Sequence, residues 1–308
     1  MNAPARLAAF ALALGLVFGG AALAGAALDP TDPEETAVTH TGNDAGHEAP
    51  AQSEHEDDTA GHGGAQAATG GLAVNQDGYT LETQRTLFEP GESSRFSFAI
   101  TNDRGRTVRD EFDLEHEREL HLIVVRRDTA IYQHLHPRKQ ADGTWSVELT
   151  LPEPGVYRAY ADFTIHGTGR TLATDLFVPG DFRPEALPEP ATTDSDGGYD
   201  VELRANDARA NSESELTFTM TRAGQPAENL EDYLGAKGHL VALREGDLAY
   251  LHVHPLDHGA QAEDEEHDHG NEVSFAATFP SAGRYRLFLQ FKTDGEIRTI
   301  AYTMEVPR

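Results

Sequence analysis

The chain has 308 residues, no cysteine, and a formal net charge of −28 from 52 acidic against 24 basic side chains. Without thiols it holds no disulfide, no lipid-bearing cysteine, no Cys zinc cluster and no blue-copper thiolate. The acidity argues against nucleic acid as a partner, because a phosphate backbone is bound by Lys and Arg that displace its counterions, and it disfavours anionic lipid surfaces.

Residues 1–28 open with one cation, Arg6, followed by an Ala/Leu/Gly run from Leu7 to Leu28. This reads as a signal peptide with Ala22 and Ala24 as a small-residue cleavage site, or as an uncleaved N-terminal membrane anchor. Both readings place the remainder outside the cytoplasm, secreted or attached to the cell envelope. Residues 29–71 are Ala, Gly, Thr, Asp and Glu with almost no large apolar side chain, the composition of a disordered linker. His40, His47, His55 and His62 lie within it and could gather metal loosely.

From about Gly78 the pattern becomes short alternating runs separated by Pro, Gly, Asn and Asp. Strands are expected at Tyr79–Thr86, Arg95–Thr101, Leu120–Arg126, Ala130–Leu135, Thr144–Leu151, Val156–Thr164 and Thr171–Val178. The same series follows at Tyr199–Ala205, Glu215–Thr221, His239–Arg244, Leu248–Val253, Glu272–Phe279, Arg284–Lys292 and Ile297–Val306. The expected fold is all-β: two tandem immunoglobulin-like antiparallel β-sandwich domains, 72–180 and 199–308, joined by a Pro-rich linker at 181–198. Gly155-Val156-Tyr157 and Gly283-Arg284-Tyr285 each resemble the start of a tyrosine corner, a feature of that fold.

Within this repeat one constellation carries chemistry. HLIVVRRDTAIYQHLHP at His121–Pro137 aligns with HLVALREGDLAYLHVHP at His239–Pro255, and seven of 17 positions are identical, three of them His and one Pro. Each segment reads as a β-hairpin turning at Arg127-Asp128 or Glu245-Gly246. Two-residue loops would put His121 directly opposite His134 and His239 directly opposite His252, with His136 and His254 on the same face. Three converging imidazoles suffice to ligate Zn²⁺ or Cu²⁺. His116 or His166 could supply a fourth ligand in the first copy. The second copy has no equivalent of either, but its ten-residue insertion in the acidic loop Leu256–Gly270 offers His258, with His267 and His269 nearby. The alternative is that the imidazoles are structural, hydrogen-bonding strand ends to neighbouring loops. Clustered histidines could also sense pH near neutrality.

No nucleophile elbow, zinc-protease helix motif, phosphate-binding loop or dinucleotide glycine string occurs, and the His252–His258 string has one residue too many for a metallo-β-lactamase ligand motif. A noncatalytic role is therefore expected. Three methionines leave little basis for a thioether Cu⁺ shuttle.

The strings Glu119–Asp128 with Gln133–Pro137, and Tyr233–Pro255, resemble those of secreted bacterial proteins described as heavy-metal-binding or YtkA-like. Lys237 occupies a variable slot where a Met would offer a soft copper ligand. The resemblance spans both expected sandwiches and implies an exported, immunoglobulin-like, metal-associated protein, whose cargo would pass to an envelope transporter or acceptor protein. A structural or adhesion module of the cell envelope is the competing expectation.

Overall fold

Period-two burial dominates the strands, as in Tyr199–Ala205, where Tyr199, Val201 and Leu203 are buried and the residues between them are not. The computed structural model describes residues 70–256 and 270–308, without the side chains of His252 and His254. The expected signal or anchor segment, nearly all of the 29–71 linker, and His258, His267 and His269 lie outside the described residues.

The first sandwich comprises β1 (Asn75–Gln76), β2 (Tyr79–Thr83), β3 (Ser93–Thr101), β4 (His121–Arg126), β5 (Tyr132–Leu135), β6 (Arg138–Lys139), β7 (Trp145–Thr150), β8 (Gly155–Ile165) and β9 (Thr168–Val178). They form two antiparallel sheets, ordered β1-β2-β3-β7-β6 and β5-β4-β8-β9. The second comprises β10 (Thr193–Asp196), β11 (Tyr199–Ala205), β12 (Glu213–Arg222), β13 (Gln225–Pro226), β14 (Leu230–Glu231), β15 (Gly238–Arg244), β16 (Tyr250–His252), β17 (His254–Leu256), β18 (Glu272–Thr278), β19 (Gly283–Thr293) and β20 (Glu296–Val306). Its sheets repeat the order: β10-β11-β12-β18-β17, and β16-β15-β19 with β20 beyond β19. Both sandwiches therefore have the strand order of the immunoglobulin fold. Each also closes a tyrosine corner: the Tyr157 hydroxyl donates to the Glu153 carbonyl at 2.8 Å and the Tyr285 hydroxyl to the Ser281 carbonyl at 2.9 Å. Among the described residues no helix is long and apolar enough to cross a membrane.

The hairpin register differs from the two-residue-loop expectation. His134 pairs with Ile123, and His252 with Val241, so neither stands opposite the first histidine of its copy. The loops are four residues long, closed at Arg126–Ile131 and Arg244–Ala249, with Thr129 (φ 64°) and Leu248 (φ 57°) in the left-handed region. The displacement is two residues, and because side chains alternate with period two it leaves His121 and His134 on one shared face, as expected, whereas His136 falls one residue beyond β5.

That face is the outer one. β4 is buried at all six positions. Leu122 and Val124 enter the first sandwich's own core, whereas Ile123 and Val125 join a separate cluster with Tyr160, Ala173, Val241, Leu243, Leu248, Tyr250 and Phe288. This cluster is the seam between the two sandwiches. Tyr132 stacks on Phe288 with ring centroids 4.1 Å apart, and Tyr160 meets Tyr250 at 5.4 Å. The repeat aligns Tyr132 with Tyr250 and Tyr160 with Phe288, so these two contacts are equivalents of each other in a pseudo-twofold arrangement. The Tyr160 hydroxyl donates to the Leu248 carbonyl at 2.8 Å. Gly70 and Gly71 thread between the sandwiches, pairing with Tyr250 and Thr171, and a Cβ on Gly71 (φ +69°) would lie 2.5 Å from the Tyr160 ring.

The segment 181–198 is anchored at both ends and contains β10, which pairs with β11. Buried Arg126 donates to Asp128, Glu153 and Glu185, while Arg284 donates to the Leu187 and Pro188 carbonyls.

Truncating a buried aromatic at the seam should cost about 3–5 kcal/mol. Phe288→Ala is expected to lower the melting temperature and to separate the calorimetric transitions of the two sandwiches. An unchanged single transition would show that the seam carries no stability.

Candidate metal centre

Because β4 and β5 pair with an odd register sum, His121 and His134 project from the same sheet face as Ile123 and Tyr132, toward the second sandwich. His136 lies one residue past β5, where the chain leaves the sheet of β4 to enter, as β6, the sheet of β7. Pro137 sits at that crossing, and having no amide hydrogen it suits a residue that leaves one ladder before joining the next. The ligand nitrogens of His121, His134 and His136 all lie within 4.8 Å of one another.

The tautomers follow from the partners. A backbone carbonyl oxygen only accepts, so His121 Nε2–H donates to the Glu115 carbonyl at 3.0 Å; with the Gln290 amide turned oxygen-first, as it stands 2.8 Å from His134 Nδ1, that nitrogen would be the donor, and with the amide reversed it would be the acceptor. His121 Nδ1 and His134 Nε2 face each other at 3.0 Å: in the first orientation both present lone pairs, and in the second His134 Nε2–H donates to His121 Nδ1. His136 Nε2 is buried with no hydrogen-bond partner. Ring centroids of the three are 5.2, 5.3 and 4.8 Å apart. Imidazoles bound about 2.1 Å from one tetrahedral ion would place their centroids roughly 5 Å apart, so the set fits such an ion with small adjustments. Two of the three histidines, His121 and His134, also have an outer hydrogen bond of the kind that fixes ring orientation in metal sites.

The second copy repeats the first part of this construction. His239 Nε2–H donates to the Tyr233 carbonyl at 2.7 Å, matching His121 and Glu115. Both carbonyls begin tight turns with two left-handed central residues, His116 (φ 48°) and Glu117 (φ 61°) in one, Leu234 (φ 55°) and Gly235 (φ 75°) in the other. Leu234 thus replaces His116, as the lack of a sequence equivalent implied. β16 and β17 place the backbones of His252 and His254 on either side of the second sheet crossing. Their side chains lie outside the described part, as does His258.

The two copies meet. The His116 ring contacts His239 edge to face at 4.9 Å and lies 6.3 Å from His121, while His134 lies 6.2 Å from His239. A pocket at the seam is lined by His116, His121, His134, Asp162, His239 and Tyr250, from both sandwiches. His166 is elsewhere, exposed at the β8–β9 turn. Gln290 was not anticipated as part of the site. Its signal was available, because the repeat aligns β8 with β19 and Gln290 with Asp162, whose carboxylate accepts from Thr171 and Tyr250.

Burial pushes His134 down to about 3, reinforced by His121 and His136, and pushes His136 down to about 4 with a further contribution from His121. Burial likewise takes His239 to about 4, partly opposed by its bond to the Tyr233 carbonyl. These imidazoles are neutral at physiological pH, with lone pairs available to a metal, and do not titrate in the pH 5–8 window of a neutral-pH sensor.

The molecule is thus a tandem immunoglobulin-like protein with a histidine cluster at its domain seam. It belongs to the family described as "Domain of unknown function (DUF8832)", which it matches twice, at residues 73–180 and 191–308. No curated protein matches the chain. Among solved structures it is similar to a DUF4426 family protein of Pseudomonas aeruginosa, with 10% identity, 38% of this chain and 96% of that one covered, and TM-score 0.26. It is also similar to the Escherichia coli adhesin FdeC (14% identity, 76% and 65% covered, TM-score 0.24) and to the Yersinia pseudotuberculosis adhesin InvE (13%, 79% and 62%, TM-score 0.22).

The depressed histidines link stability to pH. Below about pH 6.5 the unfolded chain takes up protons that the folded chain refuses, so stability falls as pH drops toward the folded values. The slope is at most about 1.4 kcal/mol per pH unit for each group. In chelator-treated protein, urea unfolding at stepped pH should give a shallower slope for His134→Gln than for wild type, and equal slopes would contradict the assignment.

Proposed function

We propose that the protein is a noncatalytic, extracytoplasmic binder of a divalent transition metal, Zn²⁺ or Cu²⁺, which it buffers, sequesters or delivers to an envelope transporter or acceptor protein. The observation that carries this reading is the convergence of one ring nitrogen each from His121, His134 and His136 within 4.8 Å, with His121 Nε2 and His134 Nδ1 held by oxygen-bearing groups and His136 Nε2 buried without a hydrogen-bond partner. Neutral imidazole is a preferred ligand of both ions. Two facing lone pairs repel in the absence of a proton or cation between them, and an ion held by the three nitrogens would turn that repulsion into coordination. The matching bond from His239 to Tyr233 supports a second site built with His252 and His254. The apolar N-terminal run and the resemblance to exported heavy-metal-binding proteins support the location and the cargo.

The competing reading is a structural or adhesion module of the envelope. It is favoured by one observation: the path Glu115–His121–His134–Gln290 runs across the seam and, with His134 protonated on Nε2, would be a continuous polar fastening between the sandwiches.

His136 separates the two readings because its Nε2 has no hydrogen bond to lose. His136→Ala should leave the metal-free melting temperature nearly unchanged and weaken Zn²⁺ or Cu²⁺ binding at the first site at least about 100-fold in isothermal titration. At about 100 times its dissociation constant the metal should add about 2.7 kcal/mol to wild-type stability. Wild-type protein that neither takes up tight metal nor gains stability from it would return the histidines to the fastening role.

A further inference from the structure

Gln290 is buried on β19 of the second sandwich, yet its amide reaches His134 of the first. On its other side Gln290 Nε2–H donates to Thr299 Oγ1 at 3.0 Å. The Thr299 hydroxyl can donate as well as accept, and imidazole can carry its proton on either nitrogen. The amide therefore has two satisfied orientations, and each dictates a different proton arrangement among the histidines.

With the Gln290 carbonyl toward His134, Nδ1 of His134 must carry the proton, and Nε2 presents its lone pair to His121 Nδ1 at 3.0 Å. This arrangement suits a cation and frustrates an empty site. With the amide rotated by 180°, its N–H donates to His134 Nδ1 and Thr299 donates to the carbonyl. His134 then carries its proton on Nε2 and donates to His121 Nδ1, while His121 donates to the Glu115 carbonyl. Every group along that chain is satisfied without a metal, and His134 Nε2 is blocked as a ligand.

Resting on the metal-binding reading above, we propose that Gln290 is a positioning residue lent by the second sandwich to the first sandwich's metal site. Its amide turns with metal occupancy, and His134 changes tautomer with it, from Nε2–H in the empty site to Nδ1–H in the loaded one. The docked second sandwich is accordingly part of the site although it supplies no ligand to it.

The test uses the purified full chain, Zn²⁺ as probe, and ¹⁵N chemical shifts of the His134 ring. In wild type, Zn²⁺ should move the protonated nitrogen from Nε2 to Nδ1. Gln290→Met removes the acceptor at similar volume and should weaken Zn²⁺ at this site about 10–100-fold with unchanged stoichiometry. Gln290→Glu, studied at a pH where the carboxylate is ionised, supplies an acceptor that cannot turn donor, so it should retain wild-type affinity or bind more tightly and show Nδ1–H before metal is added. His134 already carrying Nδ1–H in the metal-free wild type would overturn the proposal, as would Gln290→Met binding Zn²⁺ as tightly as wild type. Wild type that binds no Zn²⁺ tightly would instead overturn the metal-binding reading on which it rests. Should Gln290→Met not fold, the wild-type tautomer shift and Gln290→Glu still decide the matter.

Discussion

The structure depends on β4 and β15 being covered on both faces. Each belongs to a sheet that already closes one core, and each turns its second face to the other sandwich. An antiparallel sheet ordinarily leaves one face to water. Here that face carries Ile123, Val125, Val241 and Leu243, and burying it against its own repeat joins the two sandwiches through a third apolar cluster. His121, His134 and His239 share this face, which brings them within reach of the neighbouring domain and lets burial lower the proton affinity of His134 and His239. A rim position would have left them solvated, with ordinary proton affinities.

The fold was legible because its signals are local. Alternation marks β11 and β12, and glycine-led tyrosines mark the corners at Tyr157 and Tyr285. All fourteen anticipated strands have counterparts, with ends that differ by a few residues. Less visible were β10, which lies in a Ser/Asp/Thr stretch without apolar alternation, and the loop length of the two hairpins. There the sequence shows turn residues, but closure depends on left-handed Thr129 and Leu248, which side-chain chemistry does not favour.

That His121 and His134 share a face held although the loop length differed from the expected two residues. Any even shift in register preserves it. Which of the two faces that was, inner or outer, did leave a mark in the sequence. The unbroken apolar runs Leu122–Val125 and Leu240–Leu243 contrast with the alternation in Tyr199–Ala205, and unbroken runs belong to strands buried on both sides. For Gln290 the repeat marks a polar position shared with Asp162, but its partner, His134, lies 156 residues away across the seam and is identified only by the structure.

Duplication would by itself give two equal sites facing one another across a twofold seam. The copies have diverged at the positions that would make them equal. Where the second sandwich offers the first a neutral amide at Gln290, the first offers the second a carboxylate at Asp162, bonded to Thr171 and Tyr250. Where the first has His116 in its tight turn, the second has Leu234. An amide can present either a donor or an acceptor, whereas an ionised carboxylate only accepts. The polar groups crossing the seam in the two directions therefore differ in kind: an amide that can turn either end toward the first triad, and a carboxyl group that accepts from Thr171 and Tyr250. A repeat held together by matched apolar residues can keep its architecture while such polar positions drift, since Ile123, Val241, Tyr160 and Phe288 hold the seam whichever group occupies position 162 or 290.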